Sequence, residues 1–229
     1  MSNAVLENYA IIRENIASAA KTSGQNPNDI VLVGVTKTVE ASRIKPFLDA
    51  GGKILGENKA QELLTKCDDP ALTQAKWHFI GHLQTNKVKQ IINKVSMIQS
   101  VDSLRLAEEI NKRAEQAGLC MDILIEINIA EEPTKYGFLP EEAERNFGFM
   151  LKLPNIRVKG LMCMPPFVEN VEKNKPFYEK FLKKAIDIKA EFGNNCIHFL
   201  SMSTSLDYAY GIAQGINMVR IGTALFGMR

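Results

Sequence analysis

The chain has 229 residues with 28 basic and 26 acidic side chains, which gives a formal net charge of +2. A chain of this length can bury one substantial core, but its even charge balance lacks the basic field that nucleic-acid binding needs. The first residues lack the basic and apolar regions of a secretion signal, and no run of about 18 apolar residues follows. We therefore expect one cytosolic (cytoplasmic) domain, residues 1–229, with neither a nucleic-acid nor a membrane partner.

The first predicted element is an amphipathic helix. Its apolar positions Leu6, Tyr9, Ile12 and Ile16 recur at helical spacing, and the helix is expected to end near Gly24. The β-branched run at residues 30–35 follows and is typical of a strand buried on both faces.

Seven further apolar runs of strand length alternate with helical segments, at residues 53–55, 77–80, 95–99, 122–127, 158–162, 197–200 and 218–221. Among the helices, the one at residues 104–117 follows the capping residue Ser103 and ends before Gly118. This alternation predicts an α/β protein, a single closed (β/α)8 TIM barrel with an extra N-terminal helix. A doubly wound open sheet is the alternative. In both folds, functional sites lie at the carboxyl ends of the strands.

Lys37 follows the first strand directly, in the string GVTKT at residues 34–38. A lysine amine at that end of a barrel strand can form a Schiff base with an aldehyde. The alternative is a surface lysine that opens a loop, and position alone favours that alternative.

Polar residues also follow the second and third strands. After the second strand, Asn58 is a candidate ligand contact and a candidate N-cap residue of a helix, and the two roles are compatible. After the third strand, His82, Gln84 and Asn86 are candidates for ligand contact. His78, within that strand, is expected in the core or in an interface.

Two corners rich in hydroxyl groups and glycine follow the seventh and eighth strands. Ser205 is expected to begin a helix, and Gly222 and Thr223 lie at the start of another. Barrels often bind phosphate at these loops, although ordinary helix capping is the alternative. Because the last strand lies beside the first in a closed barrel, these corners and Lys37 are expected side by side. That arrangement suits a phosphorylated aldehyde.

Four cysteines are spread along the chain: Cys67, Cys120, Cys163 and Cys196. None belongs to a C-x-x-C pair or has a histidine at zinc-ligand spacing. The pattern predicts free thiols in a reducing compartment and no metal site.

Four strings make the interpretation specific: VTKT around Lys37, GENKAQE at residues 56–62, WHFIGHLQTNK at residues 77–87 and MVRIGTALFG at residues 218–227. On these strings the chain resembles the pyridoxal 5′-phosphate (PLP) homeostasis proteins, also called the YggS or proline synthetase co-transcribed homologue family. That family is similar to the N-terminal barrel domain of alanine racemases. The resemblance covers nearly the whole chain.

The resemblance implies a fold-type III barrel that holds PLP as a Schiff base on its lysine. The implied cofactor-binding residues all lie at the carboxyl ends of strands: Lys37, Asn58, Ser201, Ser205, Arg220, Gly222 and Thr223. In this family pattern Ser205, Gly222 and Thr223 hold the phosphate. Arg220 faces the pyridine nitrogen, and Asn58 lies near the ring.

The chain departs from the family pattern at two places and matches it at a further one. Ser203, in the string SMSTS, stands where the family usually has glycine, so the phosphate loop must adjust if that position needs a positive φ. Lys59 and Ala60 stand where tyrosine and valine are common. Lys135, in the string KYGF, matches another family motif and is expected to offer a cation near the cofactor's open side.

The resemblance further implies a PLP carrier rather than an enzyme. An arginine against the pyridine nitrogen weakens PLP as an electron sink, and the sequence ends at Arg229, before the β-domain that gives alanine racemase its second base. We expect a monomer that serves PLP (vitamin B6) and amino-acid homeostasis, with PLP-dependent apo-enzymes as recipients. The alternatives are a PLP-dependent racemase or related enzyme that uses Lys37 as its base, and a barrel without a cofactor.

Overall fold

Eight parallel strands close into a barrel in the computed structural model, which describes residues 2–166, 168 and 170–228. The strands are β1 (Val31–Val35), β2 (Ile54–Glu57), β3 (Lys76–Phe79), β4 (Met97–Val101), β5 (Met121–Ile127), β6 (Ile156–Cys163), β7 (Phe199–Ser201) and β8 (Met218–Ile221). Each strand pairs with its neighbour in chain order, and β8 pairs with β1 with Val33 opposite Arg220. The predicted closed barrel is therefore confirmed, and the open sheet is wrong.

Helices follow the strands and cover the outside of the barrel. They are α1 (Ser2–Thr22), α2 (Ala41–Asp49), α3 (Ala60–Cys67), α4 (Val88–Ile91), α5 (Leu104–Gln116), α6 (Ala143–Met150), α7 (Lys175–Phe192), α8 (Tyr208–Ala213) and α9 (Thr223–Phe226). The extra N-terminal helix is confirmed as α1, which packs against α2, α8 and α9. At α5 the Ser103 Oγ accepts a hydrogen bond from the Leu106 N–H at 3.3 Å, as the capping pattern predicted. None of the described helices is long and apolar enough to cross a membrane.

Most of the apolar core lies between the strands and the helices. Leu55, Phe79 and Ile123 on the strands belong to the same buried cluster as Phe147 and Phe181 on the helices. Burying each such side chain contributes about 1.5–3 kcal/mol, so this layer supplies much of the driving force for folding.

A second, smaller cluster fills the lower part of the barrel interior and is termed the apolar floor: Val33, Met97, Leu124, Met162 and Met218. Side chains alternate along a strand, so the residue two positions further on also faces the interior. On three of these strands that next residue is Gln99, Glu126 or Arg220. The interior therefore turns polar toward the carboxyl ends of the strands.

Candidate functional site

A cavity of about 350 Å³ opens at the carboxyl ends of β8, β1 and β2. Its wall contains every predicted cofactor-binding residue except Ser201: Lys37, Asn58, Ser205, Arg220, Gly222 and Thr223. The volume lies in the range of small-ligand sites. The charged side chains among the described residues of the wall are the cations Lys37 and Arg220, with no carboxylate, so the cavity favours an anionic ligand.

The loops after β7 and β8 meet at Ser205. The Ser205 Oγ accepts hydrogen bonds from the backbone N–H groups of Gly222 and Ala224, each at 3.2 Å. The prediction that Ser205 begins a helix is wrong, because α8 starts at Tyr208 with Asp207 as its N-cap residue. Ser205 lies instead in the turn before α8, and its hydroxyl joins the two predicted corners into one.

Ser203 adopts the left-handed conformation that favours glycine, with φ 76°. Its buried Oγ lies 2.7 Å from the Tyr178 hydroxyl, which donates to Asp207 Oδ2 at 2.7 Å. Asp207 Oδ1 in turn accepts from the Thr204 N–H at 2.7 Å. A Cβ on Gly211 would lie 1.9 Å from Ser203 Oγ, so the glycine there makes room for the serine. The loop thus keeps its glycine-like course, and the added hydroxyl is hydrogen-bonded.

A chain of buried polar side chains crosses the barrel interior beneath the cavity. Arg220 Nη1 donates to Ser201 Oγ at 2.6 Å, and Ser201 Oγ donates to Gln99 Oε1 at 2.7 Å. Gln99 Nε2 lies 2.8 Å from His78 Nδ1. Burial lowers the pKa of His78 to about 3, so its neutral ring accepts this bond. These four residues are termed the polar layer, and Ser201 supports Arg220 from within it instead of forming the cavity wall.

Arg220 is 4 % exposed, and its guanidinium group is held from several sides. Besides its bond to Ser201, Nη2 donates to the Cys163 carbonyl oxygen at 2.9 Å and lies 2.8 Å from Met164 Sδ. Burial lowers the pKa of Arg220, but a guanidinium stays protonated in proteins. The cavity therefore has a fixed positive charge on its wall.

Asn58 lies on the cavity wall where β2 ends. The prediction that it caps α3 is wrong, because Lys59 is the N-cap residue and makes no side-chain capping bond. Among the residues that the structure describes, the buried Asn58 Oδ1 has no hydrogen-bond partner. A Cβ on Gly81 would lie 2.3 Å from the Asn58 carbonyl oxygen, so only glycine lets the β3 loop pack this closely. A buried amide oxygen without a partner indicates a position that a polar ligand group can satisfy.

The three ligand candidates after β3 do not line this cavity. His82 Nδ1 lies 2.8 Å from Asp102 Oδ2, and its ring stacks on Tyr136 with centroids 3.6 Å apart. Asn86 lines a separate polar depression beside α5, and Gln84 is exposed. His78, by contrast, is buried, as the sequence predicted.

Lys135 lines a neighbouring cavity of about 180 Å³, which shares Met164 with the main one. Its Nζ lies 2.8 Å from Glu132 Oε1. Glu126 lines the same small cavity, and burial raises its pKa to about 7, with Asp102 adding to the effect and Arg220 opposing it. Lys135, the expected cation, therefore lines a cavity next to the one that Lys37 lines, and Met164 borders both.

Several wall residues had not been predicted: Val35, Ile80, Met164, Thr204 and Leu206. Ile80 lies inside a family string and Thr204 lies between Ser203 and Ser205, so a signal existed for both. Nothing in the sequence marks Met164 or Leu206, because they reach the wall from loops whose course the sequence does not determine.

In the described part of the chain, no group of three or more His, Cys, Asp or Glu side chains could hold a metal ion. Cys67, Cys120, Cys163 and Cys196 are free thiols. Burial raises the pKa of Cys163 and so keeps it a neutral thiol beside Arg220.

Comparison with known sequences identifies the family. The model of the alanine racemase N-terminal domain matches residues 8–229. The pyridoxal phosphate homeostasis protein of Aquifex aeolicus is 41% identical over 223 residues, which cover 97% of this chain and 97% of that protein. The protein of the same name from Escherichia coli K12 is 35% identical over 234 residues, with 99% and 97% covered. The chain belongs to the pyridoxal phosphate homeostasis protein family.

Solved structures agree with this family. PipY of Synechococcus elongatus PCC7942, solved with PLP bound, is 27% identical with a TM-score of 0.81, covering 94% of this chain and 100% of that one. A Bifidobacterium adolescentis protein has a TM-score of 0.91 and 29% identity, covering 98% and 95%. An alanine racemase of Clostridium difficile 630 has a TM-score of 0.78 at 18% identity and covers 99% of this chain and 60% of that one. The last likeness shows the barrel fold alone.

Its membership in the pyridoxal phosphate homeostasis protein family confirms the resemblance that the four strings predicted. Its wall brings the string around Lys37, the string after β2 and the string at β8 together around one cavity. Motifs that lie far apart in the sequence thus form one site.

Proposed function

We propose that this chain holds PLP as a Schiff base on Lys37 and serves intracellular PLP (vitamin B6) and amino-acid homeostasis as a carrier without turnover. The observation that carries the proposal is the composition of one cavity wall, which contains the lysine Lys37, the cation Arg220 and the hydroxyl-bearing residues Ser205 and Thr223. The names of the relatives and the PLP bound to PipY support it.

Lys37 is the reacting group in this proposal. Its neutral amine adds to an aldehyde carbon, and loss of water leaves a carbon–nitrogen double bond that hydrolysis reverses. When bound, PLP supplies the aldehyde and an electron-withdrawing ring. Reversibility suits a carrier, because the same lysine can take up and release its cargo.

The joined corner of the β7 and β8 loops suits a phosphate. Ser205 Oγ accepts two backbone N–H bonds, which leaves its own hydrogen free to donate. Thr223 brings a backbone N–H at a helix start and a hydroxyl group to the same wall, and Gly222, whose own N–H bonds Ser205, adds no side chain there. We assign the phosphate to these three residues, with Ser201 acting indirectly through Arg220.

Arg220 and Asn58 suit the ring of PLP. A guanidinium facing the pyridine nitrogen disfavours a proton there, which weakens the ring as an electron sink and favours holding over turnover. The unpartnered Asn58 Oδ1 gains a polar partner when a ring substituent lies beside it. The wall therefore fits the cofactor in charge, in donor groups and in its one unsatisfied amide.

Residues 1–229 are proposed to fold as one domain, because one continuous apolar cluster joins α1 to the barrel strands and the outer helices. A cytosolic location, a monomeric state and delivery to PLP-dependent apo-enzymes stay predictions.

Titration of the purified protein with PLP tests the assignment of Lys37. A visible absorbance band of the Schiff base is expected to grow with PLP and to be missing in Lys37→Ala. Lys45→Ala is the matched control, because Lys45 pairs with Asp49 on the surface and lines no part of the cavity, so its band is expected to equal that of the wild type. An undiminished band in Lys37→Ala would contradict the assignment.

A panel of L- and D-amino acids separates a carrier from an enzyme. With PLP-loaded protein, no sustained turnover is expected. Sustained turnover that disappears in Lys37→Ala would replace the carrier with a PLP-dependent racemase or a related amino-acid enzyme.

A further inference from the structure

Lys66 is a buried lysine on α3 outside the cavity wall. Its side chain is 11 % exposed, and its Nζ donates to Glu57 Oε1 at 2.6 Å and to Glu62 Oε1 at 2.8 Å. A third bond runs to the Thr36 carbonyl oxygen at 2.5 Å. All three protons of the ammonium group therefore have acceptors. Lys66, Glu57 and Glu62 are termed the Lys66 network.

The Lys66 network holds the backbone on both sides of Lys37. On the N-terminal side, Lys66 binds the Thr36 carbonyl, and the Thr36 hydroxyl donates to Glu57 Oε1 at 2.6 Å. On the C-terminal side, the Thr38 N–H donates to Glu62 Oε1 at 2.5 Å. Lys37 is thus the central residue of a three-residue segment whose two ends are bound to one set of charges.

Thr38 needs such a restraint, because it has φ 61°, in the left-handed region that a β-branched residue rarely adopts. A conformation of this kind persists only where its surroundings impose it. Two contacts hold it: the bond from its N–H to Glu62, and the turn that the Val39 N–H closes on the Thr36 carbonyl oxygen at 2.8 Å.

Stability does not account for the Lys66 network. Glu57 is fully buried, and removing such charges from water costs free energy that their attraction seldom recovers in full. Burial raises the pKa of Glu57, although the bonds from Lys66 and Thr36 oppose the effect. Burial acts in the same direction on Glu62, but the bonds from Lys66 and from Thr38 outweigh it and lower the pKa of Glu62. Replacing a buried ion pair by apolar side chains of similar volume is often neutral or stabilising.

We propose that the Lys66 network is a positioning device that fixes the backbone of Lys37 so that its amine enters the cavity ready to condense with an aldehyde. The proposal rests on the function proposed for Lys37. The amine nitrogen forms a bond to the aldehyde carbon, and the carbonyl oxygen leaves as water with two hydrogens from the amine. The Lys66 network takes no part in that exchange. It sets where the nitrogen lies when the exchange begins.

Two ligands separate positioning from general damage to the cavity. PLP uses Lys37, the phosphate corner and the ring contacts, whereas 4′-deoxypyridoxine 5′-phosphate keeps the phosphate and ring but has no aldehyde. Loss of Lys37 positioning weakens only the first ligand, and collapse of the cavity weakens both.

Glu62→Ala and Glu62→Gln form the matched pair of variants. Glu62 is 24 % exposed, and alanine favours the helix, so the fold is expected to persist. Alanine removes the acceptor for the Thr38 N–H, whereas glutamine keeps a carbonyl oxygen there. For Glu62→Ala, PLP affinity and the rate of borohydride-trapped labelling of Lys37 are each expected to fall about tenfold. Affinity for 4′-deoxypyridoxine 5′-phosphate stays at the wild-type value, and Glu62→Gln recovers most of the PLP affinity.

Lys66→Met removes the bond that holds the Thr36 carbonyl oxygen, on the other side of Lys37. It is expected to weaken PLP and to spare 4′-deoxypyridoxine 5′-phosphate in the same way. The test therefore does not depend on one variant folding. If the variants lost equal affinity for both ligands, or lost no affinity for PLP, the positioning role would be wrong, but the function proposed for Lys37 would be unaffected. Wild-type protein that takes no label on Lys37 would overturn both.

Discussion

The two levels of the barrel interior are filled in opposite ways. The apolar floor consists of aliphatic and thioether side chains, whereas the polar layer above it runs through hydrogen bonds from His78 to Arg220. Two strands supply both levels, since Met97 and Gln99 lie two positions apart on β4, as do Met218 and Arg220 on β8. The difference shows a division of roles, in which the floor stabilises the barrel and the layer orients groups toward the cavity.

The largest expected effect on stability comes from the floor. Leu124 is fully buried on β5, and Leu124→Ala is expected to lower the free energy of unfolding by about 2–5 kcal/mol, because it leaves a void in a packed layer. PLP affinity is expected to stay unchanged. Urea unfolding and a PLP titration measure the two quantities. If Leu124→Ala lowered PLP affinity as much as a polar-layer variant does, the proposed division of roles between the apolar floor and the polar layer would be wrong.

Glu126, two positions above Leu124, gives a pH-dependent effect. Burial raises its pKa from 4.5 to about 7, with a contribution from Asp102 and opposition from Arg220. The folded state therefore binds this proton more tightly than the unfolded state. The resulting stabilisation is complete below pH 4.5 and is lost as the pH rises to about 7.

Glu126→Gln removes this dependence. Relative to the wild type, the variant is expected to be more stable at pH 8 by up to about 3 kcal/mol and to show little of that advantage at pH 4.5. His78 has the opposite dependence, since burial lowers its pKa from 6.5 to about 3, but it acts in both proteins and cancels in the difference. Urea unfolding at the two pH values measures the difference. If the variant and the wild type differed in stability by the same amount at both pH values, Glu126 would have an ordinary pKa.

Ser201→Ala tests the polar layer itself. The change leaves Arg220 Nη1 and Gln99 Oε1 without their shared partner and is expected to cost about 1–3 kcal/mol of stability. Because Arg220 then keeps only its contacts to Cys163 and Met164 and is held less firmly, PLP affinity is expected to fall about tenfold. Ser96→Ala is the control, since its hydroxyl bonds the Trp77 carbonyl near the opposite end of the barrel. A variant that loses stability but keeps full PLP affinity would remove Ser201 from the site.

The smallest expected effect is at Ser203. Ser203→Gly relieves the left-handed backbone but loses the bond to Tyr178, so the free energy of unfolding is expected to change by less than about 1 kcal/mol. Ser203→Ala keeps the strain and also loses the bond, so it is expected to be the less stable of the two. The two melting temperatures decide this, and a more stable alanine variant would show that the backbone at this position carries no strain.

The sequence predicted most of the fold because buried parallel strands appear as short apolar runs. It placed the fourth strand at residues 95–99, whereas β4 is Met97–Val101. The difference arises because Val95 is buried in the turn before the strand, and hydrophobicity does not distinguish a buried turn from a strand. The seventh strand was predicted at residues 197–200, whereas β7 is Phe199–Ser201. The reason is the same, since Ile197 is buried but lies before the strand.

The sequence predicted the cavity less completely than the fold. Motif strings marked Lys37, Asn58 and Arg220, which lie at strand ends where the barrel fixes their direction. Lys66 had no such signal, because a lysine on a helix is ordinarily a surface residue. Its role depends on two glutamates and on the course of the β1 loop, and only the folded chain brings these together.

The most direct test of the central claim is borohydride reduction of the PLP-loaded wild-type protein followed by peptide mass spectrometry. Reduction fixes the bond between cofactor and lysine, so the modified peptide identifies the lysine. One phosphopyridoxyl group per chain is expected, on Lys37. A label mainly on another lysine, such as Lys135 in the neighbouring cavity, would contradict it.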